Sequence, residues 1–197
     1  PKPSSAASDV YKRQLYKRIG SRIYKRVSNR IVIIGAGSTN FGLGIVGDFF
    51  KSKILSGSTL VLHDINSETL KNTHNIALSF KEKLGVDFNI VSTTSRTEAL
   101  QKADFCLISI EVGSRFDLWE QDWKVPLQYG IKQVYGENGG PGGLFHAMRQ
   151  IPAIIKICED IEKICPEAFI FSYSNPMQRI CHALNTRFPN LKITGLC

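Results

Sequence analysis

A glycine-rich turn follows the first long apolar run of the sequence. Residues 35–38 read Gly-Ala-Gly-Ser directly after a β-branched run. A tight turn without bulky side chains lets backbone N–H groups at the start of a helix approach a pyrophosphate. Asn40 stands where the dinucleotide-binding pattern GxGxxG has its third glycine, and Gly42 follows two residues later. The motif alone therefore also fits an ordinary strand-to-helix turn.

Asp64 is the second residue that could recognise a dinucleotide. It follows the apolar run Thr59 to His63, 29 residues after Gly35. A carboxylate at the end of a second strand can accept hydrogen bonds from the adenosine ribose. It would also repel a 2′-phosphate, so it favours NAD over NADP. The alternative is that Asp64 caps a helix beginning at Ser67.

Glu111 and Arg115 follow the fourth predicted strand, in the segment EVGSR. This segment is expected to lie over the nicotinamide ribose of a bound dinucleotide. The guanidinium of Arg115 could hold an anionic or hydroxyl-rich substrate by a bidentate contact. Alternatively, Arg115 pairs with Asp117 or Glu120 on a solvated helix.

Further polar residues occur at later strand ends and in one loop. The amide of Asn175 could bond both a nicotinamide ribose and a substrate hydroxyl, although Asn before Pro also starts turns. Cys197 could ligate a metal ion or be a buried thiol. The loop 136–143 (GENGGPGG) requires close backbone approach or positive φ, which favours a site loop over a flexible one. His146 and His182 lie in helical patterns and are predicted to be structural or exposed.

The elements that must position these residues alternate between short apolar runs and longer amphipathic segments. The pattern predicts strands at 31–34, 59–63, 89–92, 103–110, 168–173 and 192–196, with helices up to Phe50, over 67–83 and over 144–163. Pro152 should start or kink the last of these helices rather than lie in its middle. Strands separated by helices imply right-handed crossovers.

This order predicts the α/β class, with a doubly wound parallel sheet of the Rossmann-like, NAD-binding type. Ligands of such sheets bind beyond the carboxyl ends of the strands. We expect residues 1–30 to be a basic extension outside the fold and residues 31–197 to form the Rossmann-like domain. Because the chain stops at a strand end, we also expect it to be truncated before a C-terminal substrate domain.

The charge distribution limits the classes of partner. The first 30 residues hold nine Lys or Arg and one acid, which accounts for the whole net charge of +8. Residues 31–197 hold 16 basic and 16 acidic side chains, so the folded body lacks the positive field that nucleic-acid binding needs. Three accounts of the basic segment are open. They are a cloning or sequencing read-through, which its PSSAASDVYKRQ sequence favours, an organellar targeting segment and a nucleic-acid-binding arm.

Cysteine usage and hydropathy indicate a cellular compartment. Five cysteines occur without CxxC spacing, and no secretory signal precedes them, which fits a reducing cytoplasm. No apolar run reaches the roughly 18 residues that a membrane span requires. The sequence therefore predicts a cytoplasmic protein without a membrane partner.

Taken together, the motifs resemble glycoside hydrolase family 4. GAGSTNFG, the strand-end Asp64, GENGGPGG, the helix FHAMRQIPAIIKICEDIEKICP, SNPM and the terminal GLC follow the family's order from about Ile31 to Cys197. The resemblance implies a glycosidase that uses NAD⁺ and a divalent metal, usually Mn²⁺, instead of two carboxylates. In this route a hydride leaves sugar C3, a base removes the C2 proton, and the glycosidic oxygen is expelled from C1.

The resemblance also implies roles for individual residues. Those that would hold the dinucleotide are Gly35, Gly37, Ser38 and Asp64. Asn175 would bind the substrate beside the nicotinamide, Cys197 would be one metal ligand, and Glu137 would make a tyrosine base more basic. The tyrosine and the remaining metal ligand would lie beyond residue 197, so the chain alone is expected to be inactive.

Two other functions are compatible with the same residues. A lactate or malate dehydrogenase-like oxidoreductase shares the fold and an Asn-Pro after the fifth strand, but Cys197 and GGPGG argue against it. A dinucleotide-sensing or nucleic-acid-binding module would use the basic segment.

For the glycosidase, Arg115 favours a uronic acid substrate, with α-galactosides and α-glucosides as alternatives. We expect the full-length enzyme to be a homo-oligomer that acts on small glycosides.

Overall fold

The computed structural model describes residues 28–38, 41–136 and 138–196. In these residues six strands form one sheet: β1 (Arg30–Ile34), β2 (Thr59–His63), β3 (Asn89–Thr93), β4 (Phe105–Ile108), β5 (Phe169–Ser172) and β6 (Lys192–Gly195). The helices between them are α1 (Phe41–Lys51), α2 (Ser67–Leu84), α3 (Arg96–Leu100), α4 (Arg115–Gln128), α5 (Gly140–Ile164) and α6 (Met177–Arg187).

The strand order is β3-β2-β1-β4-β5-β6, and every neighbouring pair is parallel. The first three strands therefore extend the sheet in one direction and the last three in the other. This confirms the predicted doubly wound, Rossmann-like α/β fold. The order reverses between β1 and β4, and a crevice for ligands opens at the carboxyl ends of the strands at such a reversal.

The central strand β1 is buried on both faces, as its continuous β-branched sequence predicts. Residues 31–34 are at most 2% exposed. Val32 and Ile34 face a core cluster that includes Ile161 of α5, whereas Ile31 and Ile33 face a second cluster with α1 and α2. Alternate residues of one strand thus contribute to two separate cores, which hold the sheet edge in a fixed position.

The predicted helix at 144–163 is present, but the expectation for Pro152 is wrong. Helix α5 begins at Gly140, and Pro152 lies in its interior. Proline removes one backbone hydrogen bond and costs about 3 kcal/mol in a helix interior. The buried side chains of Ile154, Ile157 and Ile161 on the inner face of α5 offset that cost through packing. Tertiary contacts therefore outweigh the local preference.

The folded body begins slightly earlier than the predicted boundary at residue 31. Arg30 is the first residue of β1, and its N–H donates to Asp104 Oδ2 at 2.7 Å. The carbonyl of Asn29 accepts the N–H of Thr59 at 2.8 Å. Residues 1–27, most of the predicted basic extension, lie outside the described residues.

Removal of residues 1–27 is expected to leave the thermal unfolding midpoint unchanged, because this segment brings few apolar side chains that could be buried. Removal of residues 1–30 is a matched control. It should lower the midpoint, since it also deletes the hydrogen bonds of Asn29 and Arg30. Circular dichroism melts of both deletions measure the difference. A fall of several degrees in the shorter deletion would show that the segment packs onto the domain.

The helices that the structure describes do not include a candidate membrane span. None of them combines the length and the apolar character that crossing a bilayer requires.

Candidate functional site

The turn after β1 is built on close backbone contacts. Gly35 and Ala36 donate their N–H groups to the carbonyl of His63, at 2.9 and 3.0 Å. Gly35 has a φ of +91°, and a Cβ there would overlap the carbonyl oxygen of Ser109 beyond β4. The turn is therefore pressed against the ends of β2 and β4, at the reversal of strand order.

Two further glycines complete this turn. A Cβ on Gly37 would lie 2.8 Å from Asp64 Oδ2, and one on Gly42 would overlap the carbonyl oxygen of Ala36. Gly42 thus permits the close packing of helix on strand that the third glycine of GxGxxG provides. Ser38 is exposed at the end of the turn. The described part of the turn, residues 35–38, therefore forms a cradle without bulky side chains.

Asp64 connects this turn to the end of β2. Its Oδ2 accepts the N–H of Gly37 at 2.8 Å, and its Oδ1 accepts the N–H of Asn66 at 2.9 Å. The N-cap of α2 is Asn66, whose side chain accepts the N–H groups of Glu68 and Thr69. The N-cap alternative for Asp64 is therefore wrong. Each carboxylate oxygen has two lone pairs, so both can still accept hydrogen bonds from a ribose.

His63 does not neutralise the charge of Asp64. The ring is buried, and its Nδ1 lies 3.0 Å from the carbonyl oxygen of Thr93, to which it must donate. Burial lowers the pKa of His63, so the ring is neutral at pH 7. The negative charge at the end of β2 is thus preserved.

Ser174 ties the end of β4 to the end of β5. Its buried hydroxyl accepts the N–H of Ile110 at 2.9 Å and donates to the Ile110 carbonyl at 3.0 Å. Glu111 and Asn175 are the next residues of the two segments. The structure therefore brings Glu111 and Asn175 to the same sheet edge as the turn at Gly35.

The carboxylate of Glu111 is held by two helix residues whose role the sequence analysis missed. Its Oε1 lies 2.8 Å from His146 Nε2 and also accepts a hydrogen bond from Gln150 Nε2. His146 and Gln150 lie one turn apart on α5, and both are fully buried. We call these three residues the Glu111 cluster. The sequence did contain a signal for this role, because two polar residues spaced i, i+4 lie on the apolar face of a helix.

Arg115 has partners other than those predicted. Its guanidinium lies 4.3 Å from the ring centroid of Trp119, and its Nε is 4.0 Å from Glu111 Oε2. The predicted partners bind elsewhere, because Asp117 accepts a hydrogen bond from Ser114 and Glu120 pairs with Lys124. Arg115 therefore lies at the sheet edge beside Glu111, with 47% of its side chain exposed.

The glycine-rich loop is fixed by contacts within the chain. Gln133 donates to the carbonyl of Asp122 at 2.9 Å and accepts the N–H of Gly142 at 3.2 Å. A Cβ on Gly142 would lie 2.6 Å from Gln133 Nε2, and Gly140 has a φ of +60°. The buried carboxylate of Asp122 also pairs with Arg149 at 2.5 Å and raises the pKa of that guanidinium. Packing of this loop on α4 and α5 thus explains two of its glycines.

Glu137 and Cys197 both lie outside the described residues. In the described ranges no three His, Cys, Asp or Glu side chains are grouped so that they could hold a metal ion. For a dinucleotide the fit is better, because Gly35 and Gly37 leave room for a close approach to the backbone and both carboxylate oxygens of Asp64 can accept further hydrogen bonds. His182 is exposed on α6, as the sequence predicted.

Comparison with known proteins places this geometry in one family. The model of family 4 glycosyl hydrolases matches residues 30–197. An alpha-glucosidase from Erwinia rhapontici is 54% identical over 171 residues, which cover 87% of this chain and 38% of that protein. The chain thus spans well under half the length of this relative.

Solved structures share the same fold. A 6-phospho-alpha-glucosidase from gut microorganisms, in complex with NAD and glucose-6-phosphate, matches with a TM-score of 0.76 and 26% identity. The match covers 87% of this chain and 38% of that one. The structure of a 6-phospho-alpha-glucosidase from the same source with NAD and Mn²⁺ matches with a TM-score of 0.76, 24% identity and the same coverage.

These matches decide between the enzyme families that the motifs left open. A lactate or malate dehydrogenase would share the sheet order, but the family match extends through every motif from the glycine turn to SNPM. The chain therefore belongs to family 4 of the glycosyl hydrolases.

Proposed function

We propose that this protein provides the dinucleotide-binding part of a glycosidase that hydrolyses O-glycosidic bonds with NAD⁺ and a divalent metal ion. The observation that carries this proposal is the glycine cradle beside Asp64, at the strand reversal of a family 4 chain. The 54% identity to an alpha-glucosidase supports α-glucosides as the substrate class.

The cradle and Asp64 suit two groups of the adenosine half of a dinucleotide, its pyrophosphate and its ribose. Gly35 and Gly37 leave the backbone uncovered where α1 begins, and Ser38 extends this surface. The pyrophosphate would pass close to this uncovered backbone, whose N–H groups at Gly35 and Gly37 are already bonded to His63 and Asp64, and Asp64 would accept further hydrogen bonds from the adenosine ribose. When bound, NAD⁺ supplies a reversible hydride acceptor for sugar C3.

The nicotinamide end of the site would lie at the edge formed by Glu111 and Asn175. The hydrogen bonds of Ser174 fix the distance between the two segments that carry them. Asn175 would orient a sugar hydroxyl beside the nicotinamide, and Glu111 would lie over the nicotinamide ribose. The exposed guanidinium of Arg115 would contact a sugar hydroxyl from the other side.

Two assignments rest on the family pattern alone. Cys197 would provide a thiolate ligand for Mn²⁺ or another divalent metal, and Glu137 would raise the basicity of a tyrosine that removes the C2 proton.

We also propose that the protein acts in the cytoplasm on small glycosides, as a homo-oligomer, and that its folded body does not bind nucleic acid. Four free cysteines among the described residues support a reducing compartment. The balanced charge of residues 31–197 argues against a polyanionic partner. Exposed apolar side chains from Val125 to Tyr135 support an interface between copies.

Calorimetric titration of the chain with NAD⁺ and NADP⁺ tests the dinucleotide site. NAD⁺ should bind, and NADP⁺ should bind at least about ten-fold more weakly, because the carboxylate of Asp64 repels a 2′-phosphate. ADP-ribose is a control that lacks the nicotinamide and should still bind. Equal affinity for the two dinucleotides, or no binding of either, would contradict the assignment.

A further inference from the structure

The Glu111 cluster lies where a sugar must approach a bound dinucleotide. Glu111 follows Ile110, which Ser174 ties to the segment of Asn175. The adjacent carbonyl of Ser109 touches the turn at Gly35. If the nicotinamide lies at this edge as proposed, the carboxylate of Glu111 would lie near its ribose and near the sugar beside it.

The cluster fixes one carboxylate oxygen and leaves the other available. Oε1 can only accept, so the neighbouring His146 Nε2 must carry the proton of their 2.8 Å contact. Gln150 Nε2 donates to the same oxygen. Oε2 lies 4.0 Å from Arg115 Nε, which is beyond hydrogen-bond distance, and the Glu111 side chain remains 30% exposed.

The side chains of His146 and Gln150 are enclosed by the protein. Both side chains are 0% exposed, and the edge of Trp119 packs on the His146 ring with 6.2 Å between the ring centroids. The same Trp119 carries the guanidinium of Arg115 on its face. Two buried donors therefore hold an oriented carboxylate, which is the arrangement of a recognition group rather than of a solvated surface charge.

The charges at this edge determine which sugars it can accept. Arg115 lies 4.0 Å from Glu111 Oε2, and Arg149 on α5 is paired with Asp122. Arg179 on α6 has a buried Nη1 without a hydrogen-bond partner. A phosphate or carboxylate group in the place of a sugar hydroxyl would face the carboxylate of Glu111 directly and would be repelled by it. A hydroxyl group can donate a charge-assisted hydrogen bond to Oε2.

We propose that Glu111 is a specificity-determining residue that accepts a hydroxyl of an uncharged, unphosphorylated glycone, and that His146 and Gln150 are its positioning residues. This inference rests on the proposed function. It replaces the uronic acid that Arg115 suggested in the sequence, because the structure places a carboxylate within 4.0 Å of that guanidinium.

The test uses the protein expressed from its gene with all flanking coding sequence, loaded with NAD⁺ and Mn²⁺. The kcat/KM values are compared for p-nitrophenyl α-glucoside, its 6-phosphate and the corresponding α-glucuronide. The wild type should prefer the neutral glycoside. Glu111→Gln should lower kcat/KM for that substrate by about 10- to 100-fold, the size of a lost hydrogen bond to a charged group, and should reduce the preference over the charged substrates.

Two further variants and the dissociation constant of NAD⁺ separate substrate recognition by Glu111 from a structural role. Gln150→Met keeps the volume of the side chain but removes the donor, so it should shift the same ratio of neutral to charged substrate in the same direction. Glu120→Gln removes an exposed carboxylate on α4 that pairs with Lys124, and it should change neither rate nor ratio. The dissociation constant of NAD⁺ should be the same in Glu120→Gln as in the wild type, and in Glu111→Gln it should change by a smaller factor than kcat/KM does. A changed NAD⁺ affinity with an unchanged substrate ratio in Glu111→Gln would overturn the proposal and assign Glu111 to the ribose alone.

A binding measurement distinguishes failure of this inference from failure of the proposed function. Glucose, glucose 6-phosphate and glucuronate are titrated into the NAD⁺-loaded protein. Suppose that no glycoside is hydrolysed, but that glucose binds more tightly than the two anionic sugars and that Glu111→Gln removes this preference. The specificity assignment then stands, and the glycosidase proposal fails. Tighter binding of either anionic sugar by the wild type, or no binding of any sugar, overturns the specificity assignment.

Discussion

Gly35→Ala is expected to lower the free energy of unfolding by about 2–5 kcal/mol and to abolish measurable NAD⁺ binding. The residue has a φ of +91°, which side chains other than glycine adopt only with strain. A Cβ would in addition overlap the carbonyl oxygen of Ser109, which is backbone and cannot rotate away. The turn would have to separate from the end of β4, and the cradle would change shape. Urea unfolding and calorimetry measure the two effects.

Gly44→Ala is the matched control for this substitution. Gly44 lies on α1, a few residues from the same turn, and a Cβ there would contact nothing within 4 Å. Alanine is a better helix former, so this variant should be more stable by about 0.5–1 kcal/mol and should bind NAD⁺ normally. A Gly35→Ala protein as stable as the wild type would contradict the contact described at Ser109.

Asp64→Ala is expected to weaken NAD⁺ binding by about 1.5–3 kcal/mol, the size of a charge-assisted hydrogen bond, while NADP⁺ gains relative to NAD⁺. The substitution removes acceptors for the ribose and also frees the N–H groups of Gly37 and Asn66. Calorimetric titration with both dinucleotides measures the change. Unaltered affinity for NAD⁺ would show that Asp64 only shapes the turn.

Two control variants separate charge from shape at this position. Asp64→Asn keeps an acceptor oxygen for the turn but removes the negative charge, so it should lose the discrimination against NADP⁺ while it retains more of the affinity for NAD⁺. Asp48→Ala removes a carboxylate from α1 that is 78% exposed and should alter neither. A loss of NAD⁺ affinity in Asp48→Ala as large as in Asp64→Ala would point to a general electrostatic effect.

The sheet could be predicted from the sequence because each strand carries a short apolar run that is buried on one or both faces. The runs at Ile31–Ile34 and Thr59–His63 are observed at nearly the predicted bounds. The order of glycine turn, strand-end acid and SNP motif then places these residues at one edge, since all the strands are parallel. The family match confirms the resemblance that those motifs carried.

Contacts between distant segments could not be predicted in the same way. His146 and Gln150 reach Glu111 only because α5 packs beside the end of β4, and the sequence shows no pairing across 35 residues. Arg115 contacts Glu111 and Trp119 instead of the acids two and five residues further along its own helix. Pro152 is tolerated inside α5 because that helix is buried. In each case packing between distant segments decided the outcome, and at Pro152 it outweighed a local preference.

The fate of the C2 hydrogen tests the central claim, an NAD⁺-dependent glycosidase, most directly. Hydrolysis by two carboxylates never breaks the C2–H bond, whereas oxidation and elimination break it in every turnover and restore it with a solvent proton. The protein expressed from its gene is incubated with an α-glucoside, NAD⁺ and Mn²⁺ in D₂O, and the released sugar is examined by NMR. The account predicts deuterium at C2 of the product. A product formed in D₂O with only hydrogen at C2 would contradict it.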